Sequence, residues 1–137
     1  MTAKERDGLF RICVDGGTGG RVFSRRVREP FSFADLGDLL LKIERLLEVQ
    51  DYPQAFQAIR TFRPDREKAE RTTQLPPDGM PLEAVEGARG ERLTFDLQIT
   101  TRRNATWQGF VHWGDGTKTA FENDLGFLSI VAGALEK

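Results

Sequence analysis

Leu93, Phe95, Leu97 and Ile99 alternate with Thr94, Asp96, Gln98 and Thr100. A period of two with one apolar side predicts a half-buried strand. Trp107, Gly109, Val111 and Trp113 alternate in the same way with Gln108, Phe110 and His112, which predicts a second strand. Gly114-Asp115-Gly116 ends it in a tight turn, because Gly accepts positive φ and Asp bonds its own backbone. Lys118 to Phe121 is long enough for a short third strand. From Asp124 the period becomes helical: Leu125, Leu128, Ala132 and Leu135 fall on one side. Asn123 or Asp124 is placed to cap the exposed amides at its start.

The first half of the chain reads the same way. Leu9 to Val14 forms one strand and Arg21 to Val27 another, with Glu29-Pro30 marking a turn. Ser32-Phe33-Ala34-Asp35 has the spacing of a capping box. Leu36, Leu39, Leu40, Ile43, Leu46 and Leu47 then make an apolar helical stripe, with Asp38, Lys42, Glu44, Arg45 and Glu48 on the remaining surface.

This likeness is also one of identity. An offset of 89 residues pairs Gly20 with Gly109, Val22 with Val111, Asp35-Leu36-Gly37 with Asp124-Leu125-Gly126, Leu39 with Leu128 and Leu46 with Leu135. Those are seven identities over the 29 positions that start at Gly20, where chance gives about one or two. Phe10-Ile12-Val14 matches Phe95-Leu97-Ile99 once the second copy is allowed four extra loop residues. The expectation is an α+β domain over 1–137, built from two β-β-α repeats at 9–49 and 93–136. Neither repeat can bury both its sheet and its helix alone. Together they predict one antiparallel sheet of four to six strands, covered on one face by two helices.

Residues 50–62 connect the repeats; Tyr52, Phe56 and Phe62 give this stretch aromatic anchors, and Ala58 to Phe62 suits an added strand. Residues 63–92 carry charges, prolines and glycines with few large apolar groups, the composition of a flexible polar linker or a loop held against the surface.

Composition narrows the functional classes. The balance of 20 Lys and Arg against 21 Asp and Glu leaves a net charge of −1, so no global field draws in nucleic acid or anionic lipid. No stretch approaches the roughly 20 apolar residues that span a bilayer, and the charged start lacks a secretory core. These features point to the cytoplasm, where the single Cys13 is simply a small apolar residue. With one Cys and one His, the chain offers no disulfide and no soft-ligand metal site. Neither a metal nor a cofactor is expected. Cys13 lies in an apolar strand and His112 in another, which makes a poor nucleophile–base pair. Asp15-Gly16-Gly17-Thr18-Gly19-Gly20 resembles a phosphate loop in glycine content only: a strand follows rather than a helix, and the Lys is missing.

Two sets of residues invite a binding role. Arg25 and Arg26 in one repeat, and Arg102 and Arg103 with Trp107 in the other, could place cations beside a stacking aromatic for single-stranded nucleic acid. Nearby acids dilute that field, and charged strand faces also protect sheet edges, so this reading is disfavoured. Trp107 and Trp113 share one strand: facing the helices they are core, and exposed they mark a protein interface.

The run Arg103-Asn104-Ala105-Thr106-Trp107-Gln108-Gly109, followed by a strand, a Gly-Asp-Gly turn and a Leu-rich helix, resembles a group of small uncharacterised bacterial proteins of gut-dwelling Gram-positive type. Tyr52-Pro53-Gln54 and Arg60-Thr61-Phe62 share the likeness. The group implies no activity. The leading expectation is a non-enzymatic interaction or regulatory protein that binds a protein partner or itself, as a homodimer through a free sheet edge or exposed aromatics. Nucleic-acid binding is the alternative, followed by an enzyme with a site between the repeats.

Overall fold

A computed structural model describes residues 8–50, 55–56, 79–103 and 106–136. In chain order its elements are β1 (Phe10–Gly16), β2 (Gly19–Phe23), β3 (Phe31–Phe33), α1 (Leu36–Gln50), β4 (Ala55–Phe56), α2 (Leu82–Gly87), β5 (Leu93–Arg103), β6 (Thr106–Trp113), β7 (Lys118–Phe121) and α3 (Asp124–Leu135). The class is α+β. Three helices are described rather than two, because α2 forms within the stretch expected to be linker. The expected strand at Ala58 to Phe62 lies outside the described residues.

Six strands run antiparallel in the order β3-β2-β1-β5-β6-β7, and the two-residue β4 joins the end of β5 in parallel, opposite Arg102 and Arg103. The two central strands therefore come from different halves of the chain, with Phe10 opposite Leu97, Arg11 opposite Asp96 and Ile12 opposite Phe95. Outward from this seam the two sides follow matching registers. Val22 and Gly20 lie opposite Ile12 and Val14 on one side; Val111 and Gly109 lie opposite Leu97 and Ile99 on the other. Gly20 next meets Phe33, and Gly109 meets Phe121.

Both glycines are required by close approach. A Cβ at Gly20 would stand 1.9 Å from the Cys13 carbonyl oxygen, and one at Gly109 1.9 Å from that of Gln98. The strand expected to run from Arg21 to Val27 stops at Phe23. Buried Ser24 turns the chain there, its hydroxyl donating to the Leu9 carbonyl (2.9 Å) and accepting the Arg26 amide (3.1 Å).

One sheet face presents Phe10, Ile12, Val14, Val22, Phe33, Phe95, Leu97, Trp107, Val111 and Phe121 to the helices. α1 meets them with Leu39, Ile43 and Leu47, spaced by one turn, and α3 with Phe127 and Val131. Phe127 is the aromatic hub on its side, with ring centroids 5.5 Å from Phe121, 5.9 Å from Trp107 and 6.2 Å from Phe95.

The helix starts are fixed by short polar side chains. Asp35 accepts the Asp38 amide (2.8 Å), and Asp38 reaches back to the Ala34 amide (2.8 Å). This reciprocal cap uses Asp35 and Asp38; Ser32 lies in β3 instead. Asn123 caps α3 by accepting the Gly126 amide (2.7 Å). The capping residues and the buried helix positions (Leu39 and Phe127, Ile43 and Val131) thus correspond at an offset of 88, one less than the Asp-Leu-Gly identity suggests.

The other face of the sheet is partly covered by residues 79–92. Met80 and Val85 are buried there, and so is Cys13. Arg11 pins the segment, donating to the Glu86 (3.0 Å) and Ala88 (3.1 Å) carbonyls while its other nitrogens hold Asp96. Arg92 completes it: its amide bonds the Val14 carbonyl (2.8 Å), and its guanidinium reaches Gly17 and the Leu135 carbonyl at the end of α3. Residues 63–78 lie outside the described residues.

Candidate functional site

The polar residues singled out in the sequence are largely engaged in holding the fold. Trp107 is 1% exposed and packs in the core, its indole N–H donating to Glu44 (2.6 Å) on α1. Trp113 is half-buried, tilted against Phe95 at 5.8 Å, with its N–H on the Thr119 hydroxyl (2.9 Å). Arg102 lies opposite Trp107 in the β5–β6 ladder and is 4% exposed. It donates to Glu48 (2.5 Å) and to the Leu47 carbonyl (3.3 Å), with Glu44 3.7 Å away.

Arg26 is 2% exposed and lies over the Phe10 ring at 4.8 Å. It exchanges bonds with Gln50: its Nε donates to the amide oxygen (3.1 Å), and its carbonyl accepts the amide nitrogen (2.8 Å). Arg25 is half-buried; Arg103 is exposed at the far end of β5. Arg26 and Arg102 thus meet the last turn of α1 from different parts of the chain. That turn contains no basic residue of its own. Cations at a helix C-terminus complement its free carbonyls and negative dipole end.

The second face of the sheet is similarly occupied. Asp15 accepts a paired bond from Arg21 (2.8 and 3.0 Å) and the Glu91 amide (3.2 Å), which together hold its carboxyl below the ordinary range. Burial pushes the Cys13 thiol up, despite the nearby guanidinium groups of Arg21 and Arg11, which makes it a poor nucleophile. His112 Nε2 and Gln98 Oε1 lie 2.7 Å apart, and Lys118 stands over the Phe110 ring at 4.3 Å. Among the described residues no three His, Cys, Asp or Glu side chains group as metal ligands. No described helix is long and apolar enough to cross a membrane.

The open surface of the described residues includes a small polar pocket of about 350 Å³ beside Arg11, Arg89, Asp96 and His112, and two grooves, each between a helix and its neighbouring outer strand. The first, about 620 Å³, runs between α1 and β3 and is lined by Val27, Pro30, Phe31, Leu46 and Val49 with Lys42 and Arg45. Positions 42, 45, 46 and 49 share one helical face, at the spacing of neighbouring turns. Val49 is 78% exposed, and Leu41 on the same helix 65%. The second groove, about 740 Å³, lies between β6, β7 and α3, with Trp113, Thr117, Thr119, Ser129, Ile130 and Ala134 among its walls. At the offset of 88, Phe31, Lys42, Arg45 and Leu46 of the first groove correspond to Thr119, Ile130, Gly133 and Ala134 of the second.

The sequence reading did not single out the α1 groove. Its signal was the width of the α1 stripe: Leu46, at the edge of the core, and exposed Val49 extend it toward β3 beyond the three fully buried positions.

Compared with known proteins, the chain matches no protein-family model, no curated protein and no solved structure.

Proposed function

We propose that this is a small non-enzymatic interaction protein whose partner seats a segment in the groove between α1 and β3. The observation that carries this reading is the apolar lining of that groove, where Pro30 and Val49 are exposed beside half-buried Val27, Phe31 and Leu46. Apolar grooves rimmed by charged side chains are a form that protein docking sites take. Among the described residues, several charged groups are spent on structure: Arg11 on Asp96, Arg21 on Asp15, Arg102 on Glu48. The cytoplasm is the proposed setting, and self-association through the outer strand β7 a proposed second contact. Kinship with the small bacterial group rests on the Asn104 to Gly109 motif.

The nucleic-acid reading is weaker. Arg26 and Arg102, two of the four arginines it needs, are buried, and Trp107 offers no exposed ring for stacking.

An origin by internal duplication belongs to the same proposal. Its support is the mirrored sheet order, the paired glycines at 20 and 109, the paired caps at Asp35 and Asn123, and the matching position of the two grooves. A partner site on one groove only is what divergence after copying would leave.

A random peptide display selection against the full chain tests the interaction reading. Enriched peptides should shift the amide resonances of Phe31, Leu46 and Val49. No enrichment, or shifts confined to other faces, would overturn it. Single-stranded oligonucleotides should show no retention at low salt.

A further inference from the structure

Resting on the interaction reading above, we infer that the α1–β3 groove selects an acidic amphipathic segment: apolar side chains against Phe31, Leu46 and Val49, and a carboxylate against Arg45. The argument is one of charge left over after the fold is satisfied. The acids of α1 are directed away from the groove lining or already engaged. Asp38 accepts the Ala34 amide (2.8 Å) and contacts Lys42 (3.2 Å). Glu44 takes the Trp107 indole, and Glu48 takes Arg102. None of these three is among the residues that line the groove. Of the two cations that do line it, Lys42 is already bonded to Asp38 and the Ser32 carbonyl, which leaves Arg45 as the cation open to a carboxylate. Arg45 is exposed and stands one turn from Val49 and beside Leu46, so the groove pairs apolar surface with a cation.

The edge of the sheet restricts how the occupant lies. Lys42 Nζ donates to the Ser32 carbonyl of β3 (2.8 Å), which takes one acceptor of the outer strand out of use. Adding a strand there would have to displace that bond. The occupant is therefore read as a helical segment held by its side chains, with one face apolar and its flanks acidic. The groove beside α3 is the internal contrast. It has the same position in the fold but carries Ile130 and Gly133 where the first carries Lys42 and Arg45, so it offers no cation to a carboxylate.

Two synthetic helical peptides of roughly 14 residues serve as probes, one with Leu on one face and Glu elsewhere, the other with Lys for every Glu. Affinity is read by fluorescence anisotropy on the full chain, and location by amide shifts. The acidic probe should bind about tenfold tighter than the basic one at low salt, with the difference shrinking as salt is raised. Its shifts should centre on Phe31, Leu46 and Val49. Arg45→Glu, a change at an exposed position, should abolish or reverse the preference, and Val49→Asp should weaken the acidic probe. Equal binding of both probes in this groove would overturn the charge selection while leaving the interaction reading standing. Binding of neither probe in this groove would overturn the inference, and the display selection would then decide the wider reading on its own.

Discussion

Gly109 pairs with Ile99 in the interior of the sheet, where its missing side chain leaves room for the Gln98 carbonyl. Adding one methyl there puts carbon 1.9 Å from oxygen in a ladder with neighbours on both sides. Gly109→Ala should therefore cost roughly 2–4 kcal/mol, seen as a lower urea midpoint. Gly20→Ala should behave alike, since its Cβ meets the Cys13 carbonyl at the same 1.9 Å. The identity of these two glycines was visible in the sequence; their reason was not, because it lies in the approach of another strand.

A second residue-level prediction concerns acid. Asp38 titrates below its ordinary 3.8, chiefly because the Ala34 amide and then Lys42 hold the charged carboxylate. A carboxyl depressed in the fold is protonated first in the unfolded chain as pH falls. Its contribution is complete above 3.8 and disappears as pH drops through the lower folded value. Asp38→Asn should thus be less stable than the parent at neutral pH, with the gap narrowing as pH falls below 3.8. Urea midpoints across that range measure it.

At the scale of elements, the strands were legible because each has one apolar side. Phe95, Leu97 and Ile99 are buried while Thr94, Asp96 and Gln98 face the other way, as the period of two requires. The helices were legible from their stripes, yet α3 buries Phe127 and Val131 rather than the Leu125 side, and Leu125 is 76% exposed. α3 is apolar nearly all round, so its sequence could not say which stripe turns inward; the Asn123 cap and the tie of Asp124 to Thr106 and the Trp107 amide set that rotation. Asn123→Ala should cost about 1 kcal/mol and loosen amide-exchange protection in the first turn of α3 before that of α1. α2 escaped the sequence reading because six residues carry too little periodicity. Its place is set by distant groups, above all the Arg11 guanidinium on its last carbonyls.

For the whole molecule, the ion pair at the seam joins the two halves to each other and to the segment above them. Arg11 Nε lies 2.6 Å from Asp96, and the side chains are only 14% and 22% exposed. Arg11→Met alone should leave Asp96 poorly paired, and Asp96→Leu alone should strand a guanidinium. The double variant should be more stable than the two single losses predict, with a coupling of about 1–3 kcal/mol in a double-mutant cycle. Sequence could place Arg11 and Asp96 on the polar side of their strands but could not pair them, since nothing local says which strands become neighbours. The same limit applies to the buried arginines. Arg26 and Arg102 looked like surface cations because their partners, Gln50 and Glu48, belong to a helix they meet only after collapse.

The central pairing of β1 with β5 has a kinetic meaning. Phe10 must find Leu97 across most of the chain, whereas β1 with β2 and β6 with β7 close through short turns. Closing so large a loop costs entropy before any contact repays it. Each hairpin closes locally, so the slow step expected in folding is the meeting of β1 with β5, two strands that start far apart along the chain.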